Sequence, residues 1–329
     1  MIVGIDQYQQ SGMTLAAAVA DARAMAEILG SHEDRTANYD CLLWPGQTER
    51  EGPVTRAALR KGLQELFADY RGDVLFYFSG HGTISPTGGW LVTSDGSSGD
   101  WGIPMEEVLQ LALRSDANDI LLLLDCCHGG GLADAGLLNT RAGDGRATAA
   151  LREDMTVIAA SMAREVAVEA GGHGLFTAAL LSALEGGAAD HMGWVTAPSI
   201  YAYAERRFGG WPQQPVYKTH ATRVSVVRQC APLIERLKLG RLVEIFPSQD
   251  FLFPLDPEFE PEDEEGNVHL PVNPTKVELA RLFKEYRDAG LLKPSIPGEQ
   301  LYWTARRSHT VELTPRGREY WRLVRDKKI

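Results

Sequence analysis

"LLLLDCCHGGG", Leu121–Gly131, begins as four leucines and ends as an acid, two thiols, an imidazole and three glycines. A short, unbroken apolar run closed by turn residues is the pattern of a strand buried on both faces, as in a parallel sheet covered by helices. In open sheets of that kind, the side chains at the carboxyl ends of the strands gather in one crevice. This stretch therefore predicts an α/β fold and locates its chemistry at the end of a core strand.

Working outward, the same reading applies to Met1–Ile5, Cys41–Trp44, Asp73–Ser79, Met155–Ser161 and Thr222–Val227, short apolar runs bounded by Gly, Asp or Ser. Between them apolar residues recur at steps of three and four. Val19, Ala22, Ala26 and Leu29 are one such set, Ala58, Leu59, Leu63 and Leu66 a second, and Phe176, Leu180, Leu181 and Leu184 a third. Strands alternating with helices predict βαβ units in a mostly parallel sheet sandwiched by helices.

Composition bounds the function. A chain of 329 residues, 44% hydrophobic and 23% charged, holds one large core and has room for a smaller second domain. No apolar run approaches the roughly 18 residues of a membrane span, and "MIVGIDQYQQ" does not read as a signal peptide, so a cytoplasmic protein is expected. Cys41, Cys126, Cys127 and Cys230 are too scattered for a disulfide framework, and no CxxC spacing suggests structural zinc. A net charge of −11 speaks against nucleic-acid binding by the chain as a whole.

Three segments are expected: 1–228 as the main domain, 229–270 as a linker with an acidic stretch around "PLDPEFEPEDEEGN" (Pro254–Asn267), and 271–329 as a small α+β module. The Gly-, Ala- and Arg-rich Gly131–Met155 reads as a long exposed loop. In the last segment a helix ends at Gly290, two short strands are separated by a charged turn, and a closing helix starts at Thr314–Pro315. That order resembles a winged-helix module, with Trp303, Tyr320 and Trp321 as its small core. From Pro271 onward there are thirteen Lys or Arg against seven Asp or Glu, so DNA binding is one reading. Docking to a protein activator or adaptor is the favoured one.

"DVLFYFSGHGT" (Asp73–Thr83) repeats the design of the opening stretch, a buried strand tipped by Ser79-Gly80-His81-Gly82. Both tips belong to one edge of the sheet, so His81 and one of the two thiols can meet. A thiol is a strong nucleophile only as thiolate, and an imidazole can take its proton and return one to a leaving amine. Glycines admit a substrate backbone and free N–H groups for an oxyanion. Strand alternation points Cys126 away from Cys127, so Cys126 is expected to pack in the core. Cys41 and Cys230 are expected as small buried hydrophobes, and His173 as a structural or rim residue.

Together, "VGIDQY", "LAAAVADARAMAEIL", "FYFSGHGT", "DCCHGGG", "AASMAREVAVE" and "HGLFTAALLSAL" resemble the caspase-like cysteine peptidases, in particular metacaspases and bacterial orthocaspases of the caspase-haemoglobinase fold, over about residues 1–228. The resemblance implies that Cys127 is the nucleophile and His81 the general base and acid. It gives the N–H groups of Gly82 and Cys127 to the oxyanion hole, and Asp21, Ser79 and Asp125 to a pocket for a basic P1 residue. Cleavage after Arg or Lys, not after Asp, is then expected. His128 conforms to the family as a structural residue. No cofactor is required by this chemistry. Calcium stays open, since some metacaspases hold it with clustered acids, and Asp134, Asp95 and Asp100 are the acids available here. Arg141, Arg146 and Arg152, in the loop after the nucleophile, are candidate sites of self-cleavage. The family setting implies a partner-switched role in bacterial cell death or antiphage defence. The alternative is a winged-helix regulator or scaffold with an inactive caspase-like domain, against which the intact His81, Cys127, Asp21 and Asp125 speak.

Overall fold

The leucine run is a core strand. A computed structural model describes residues 1–46, 52–68, 71–85, 88–126, 151–160, 172–209, 215–262, 268 and 270–329. These residues divide into two units, one of Met1–Ala189 with Trp194–Ala231 and one of Asp190–Gly193 with Pro232–Ile329. In chain order the first unit holds β1 (Ile2–Ile5), α1 (Ala18–Gly30), β2 (Leu43–Gly46), α2 (Arg56–Phe67), β3 (Asp73–Gly80), β4 (Gly82–Ser85), β5 (Gly88–Ser97) and β6 (Asp100–Pro104). It continues with α3 (Met105–Arg114), β7 (Asp119–Cys126), β8 (Met155–Ala159), α4 (Leu175–Ser182), β9 (Trp194–Thr196), α5 (Ala197–Phe208), β10 (Val216–His220) and β11 (Val226–Gln229).

The main sheet has the order β10-β8-β7-β3-β1-β2. Its pairs are parallel except β10 on β8. Alternation along β7 divides its apolar side chains between two cores. Ile120, Leu122, Leu124 and Cys126 pack with Leu59 and Leu63 of α2 and Val108 and Leu109 of α3. Leu121 and Leu123 pack with Met25 of α1, Phe176 and Leu180 of α4, and Ile200 of α5. Each leucine so buried stabilises the fold by roughly 1.5–3 kcal/mol relative to exposure.

One expected core strand is displaced. Thr222–Val227 does not enter the main sheet; Val226–Gln229 instead pairs with β9 in a separate two-stranded ribbon. The sixth strand is β10, "VYKTH", whose residues are half-buried or exposed. An edge strand has one open side and lacks the apolar run by which central strands are read. The antiparallel sheet β4-β5-β6 is a further addition that the sequence reading lacked.

Two features fix the start of α1. The Asp6 carboxylate accepts from Ala18 N–H at 2.9 Å and Val19 N–H at 3.4 Å, capping a helix that carries no local cap. Gly4 lets the helix lie on β1, because a Cβ there would stand 2.3 Å from Ala18 O. The first turn of α1, which contains Asp21, is thereby held against the end of the sheet.

The second unit contains α6 (Arg236–Gly240), α7 (Leu242–Ile245), β12 (Phe253–Pro254), α8 (Pro274–Asp288), β13 (Leu292–Pro294), α9 (Leu301–Arg306), β14 (Thr310–Leu313) and α10 (Pro315–Arg325). Its sheet has the order β12-β14-β13 and is antiparallel. As expected, Gly290, with φ of +67°, follows α8, and Thr314 caps α10 by accepting from Gly317 N–H at 3.0 Å. Where a charged turn between two strands was expected, α9 intervenes. A third strand, β12, comes from the stretch read as linker, and Phe246, Leu255 and Phe259 of that stretch are buried. Tyr320 and Trp321 are core residues, but Trp303 is 39% exposed and is not. Aromatic rings account for the difference. Phe253 meets Phe283 edge-on at 5.1 Å, and Trp321 Nε1–H donates to Phe246 O at 2.7 Å, so this core draws on both sides of the acidic stretch.

Candidate active site

The two reactive tips lie side by side. β3 and β7 pair Ser79 with Asp125 and Gly80 with Cys126, and the next residue of each chain segment is His81 and Cys127. Cys127, His128, Asp134, Arg141 and Arg146 lie outside the described residues. Cys126 is buried in the core on the α2 and α3 side, as alternation requires.

His81 is 2% exposed and held from two directions. Its N–H donates to Tyr8 Oη at 2.9 Å, and its ring lies 4.7 Å from the Tyr8 ring. Its Nε2 stands 2.7 Å from Met13 O. A carbonyl oxygen only accepts, so Nε2 carries the hydrogen and Nδ1 is the basic nitrogen of the neutral ring. Tyr8 and Met13 belong to the polar loop between β1 and α1. Sequence reasoning missed both roles: Met13 acts through a main-chain carbonyl, which leaves no residue signature, and Tyr8 acts through its hydroxyl and ring from a loop whose path the sequence does not show. Gly82 opens β4, and Val92 N–H donates to His81 O at 2.9 Å, which ties the histidine to the second sheet.

Beside this histidine the predicted pocket residues converge. Asp21 from α1, Ser79 from β3 and Asp125 from β7 share the α1 and α4 side of the sheet. Asp21 is 2% exposed, and its Oδ2 accepts from Ser79 Oγ at 3.3 Å. The start of α4 completes the pocket with residues not predicted for it. Gly174 N–H donates to Asp21 Oδ1 at 3.2 Å, and His173 Nδ1 stands 2.8 Å from the same oxygen. Thr177 donates to Asp125 Oδ2 through its N–H at 3.2 Å and its hydroxyl at 2.5 Å. Tyr77 O–H in turn donates to Thr177 Oγ1 at 2.5 Å. A Cβ on Gly174 would stand 3.2 Å from both Asp125 Oδ2 and Asp21 Oδ2, so the two carboxylates face one small space that glycine leaves open.

Burial pushes the Asp21 carboxyl up to about 7, reinforced by the nearby charge of Asp125 and opposed by the bonds from His173 and Gly174. Burial also raises Asp125, against the two bonds from Thr177. Neither acid has a lysine or arginine partner among the described residues, so holding both as buried anions is costly and each carboxyl is pushed toward its neutral form.

The remaining candidates are elsewhere. Asp95 accepts from Arg56 N–H at 2.8 Å and Thr93 Oγ1 at 2.7 Å, and Asp100 pairs with the Arg56 guanidinium. Among the described residues no group of three or more His, Cys, Asp or Glu is arranged to hold a metal ion. Arg152 is anchored: its guanidinium donates to Ser115 O at 2.5 Å and Ala117 O at 2.6 Å. Presenting it to an active site would break both bonds. Cys230 is buried beside Arg228, and Cys41 is half-buried.

Among the described residues no helix is long and apolar enough to cross a membrane. A family model, the caspase domain, matches residues 1–226. Similar solved structures include a structural-genomics protein of Geobacter sulfurreducens, 17% identical with a TM-score of 0.47, covering 68% of this chain and 92% of that one. Another is pro-sf-caspase-1, 13% identical with a TM-score of 0.43, covering 69% and 89%. A search of curated proteins found no match.

Proposed function

This chain belongs to the caspase-domain family of cysteine peptidases, and on that premise we propose that it is an endopeptidase cutting after arginine or lysine. The observation that carries the specificity is the pair of carboxylates, Asp21 and Asp125, converging on the space beside Gly174. Two acids facing one slot suit a guanidinium or ammonium group, because a buried cation is then paired on more than one side.

In the mechanism this supports, His81 Nδ1 takes the Cys127 thiol proton and the thiolate attacks the scissile carbonyl. The N–H groups of Gly82 and Cys127 hold the resulting oxyanion. Collapse breaks the C–N bond, and His81 returns the proton to the leaving amine. Water then attacks the thioester with His81 as base, releasing the new carboxylate and restoring the thiol. None of these steps calls for a cofactor. Fluorogenic peptides with Arg, Lys or Asp at P1 test the reading. Turnover of the Arg and Lys peptides alone, lost in Cys127→Ala, is expected, and equal turnover of the Asp peptide overturns the specificity.

The second unit is proposed to dock a protein partner that switches the peptidase on, in the cell-death or antiphage setting that the family suggests. Protein docking is favoured over DNA because basic residues of α8 are already engaged: Lys276 with Asp256 and Glu258, Lys284 with Glu260.

A further inference from the structure

We infer that His173 is a positioning residue for P1 recognition: it orients Asp21 through Oδ1 and carries away the proton that Asp21 must lose when a P1 cation enters. The inference rests on the reading of this pocket as the P1 site.

The geometry assigns the two oxygens of Asp21 different tasks. Oδ1 is taken by His173 Nδ1 at 2.8 Å, and Gly174 N–H is shared between Oδ1 at 3.2 Å and Oδ2 at 3.4 Å. Oδ2, which accepts from Ser79 Oγ at 3.3 Å, is the oxygen turned toward the space beside Gly174 that Asp125 Oδ2 also faces. Among the described residues, His173 is the one side chain able to become cationic on either carboxylate. With its carboxyl pushed up to about 7, Asp21 holds a proton for part of the time near neutrality. A guanidinium pairs with the ionised form, so entry of the P1 residue expels that proton.

Asp21 is sealed at 2% exposure, whereas His173 is 28% exposed and lines an open groove. The proton therefore leaves through the ring. It passes from Oδ1 to Nδ1, giving carboxylate and imidazolium, and the Nε2 proton then departs to water. Asp21 is the charged group in contact with the ring, and Glu27 from α1, Glu185 after α4, Arg207 from α5 and Arg228 from β11 line the same groove. Arg228 is committed to the carbonyls of Ile28, Ser31 and Leu184.

The test measures kcat and KM for an Arg peptide between pH 5.5 and 9 in wild type, His173→Ala and His173→Asn, with thermal melts of each. In wild type, kcat/KM should rise with pH to a midpoint near 7. Loss of a charge-assisted bond to Asp21 should raise KM in His173→Ala by about tenfold or more at pH 7, with kcat nearly unchanged and the midpoint moved upward. His173→Asn can donate to Oδ1 but takes up no proton; it should recover KM at pH 9 and not at pH 7, and it carries the test if the alanine variant fails to fold. On a Cys127→Ala background, titration calorimetry in buffers of different ionisation enthalpy should detect proton release on peptide binding. A wild type that prefers Arg, with KM and midpoint unmoved in both variants, overturns this inference alone. A wild type indifferent to Arg overturns the pocket reading and this inference with it.

Discussion

Cys126 and Cys127 are adjacent thiols, and strand alternation gives them different fates. Cys126 is 3% exposed in the core on the α2 and α3 side. Cys126→Ser should keep most of the activity, because its side chain faces that core and not the strand tip that carries His81. Cys127→Ala should abolish turnover and leave the melting temperature close to wild type; the reverse pattern would exchange the two assignments. Asp21 gives a second prediction at this scale. Its folded carboxyl titrates near 7 against an ordinary value of 3.8, so between those values the folded state holds a proton that the unfolded state has released. That stabilising contribution is whole below pH 4 and is lost as pH rises through 7. Under the proposed specificity, activity on Arg peptides should run the other way, because the ionised carboxylate is the form that would pair with the cation. Asp21→Asn should therefore be more stable than wild type at pH 8, by an amount on the order of 2–4 kcal/mol, and level with it or weaker at pH 4. Melts of both proteins at the two pH values check this; an Asn effect independent of pH would refute the assigned titration.

The element that completes the pocket is the first turn of α4, and its contribution was legible only in part. Asp21, Ser79 and Asp125 were legible as pocket residues only through the family resemblance, which aligned them with the strand tips "SGHG" and "DCCHGG" and with the first helix. The segment "HGLFT" supplies two N–H groups, a hydroxyl and the absence of a side chain at Gly174. Main-chain donors and a missing Cβ have no residue signature, so, although "HGLFTAALLSAL" belongs to the resemblance and His173 is expected as a structural or rim residue, the pocket role of this turn shows only where α4 begins against both carboxylates. The same physics explains the misread strands: β3 and β7 are apolar throughout because both faces are covered, whereas β10 is an edge and looks like a loop. Gly174 can be tested directly. Its φ of −60° and ψ of 145° are open to any residue, so alanine brings no backbone strain. The added methyl would contact both carboxylates and fill part of the space meant for the P1 cation. Gly174→Ala should raise KM for Arg peptides about tenfold or more, as expected when a cation loses a close carboxylate contact, while preserving the fold. An unchanged KM would mean that the P1 residue binds elsewhere.

On the scale of the whole molecule, charge and chain cleavage can each be tested. The second unit should show no sequence-selective duplex binding, because lysines of α8 already face acids of their own unit. Fluorescence anisotropy over a salt series checks this, and a nanomolar, sequence-selective complex whose affinity falls steeply with salt would reverse the reading. Self-cleavage concerns the first unit. Under the proposed specificity for basic residues, three arginines just past the nucleophile are candidate substrates, and Arg152 is the poorest among them, since its guanidinium is bound by Ser115 O and Ala117 O. We therefore expect cutting after Arg141 or Arg146. The nearness of the loop to its own active site gives it an effective concentration that a free peptide lacks. Such a cut would leave β1, β2, β3 and β7 on one fragment and β8 and β10 on the other. The β7 and β8 ladder runs from Ile120 opposite Met155 to Leu124 opposite Ala159, with most of its side chains in the two cores. That shared core should keep the fragments together, so active protein should elute as one species on size exclusion yet run as two bands under denaturing conditions. Mass spectrometry should place the new carboxyl terminus at Arg141 or Arg146, and Cys127→Ala should stay whole. A single intact chain in protein that turns over Arg peptides would remove self-cleavage from the activation scheme and leave the partner as its switch.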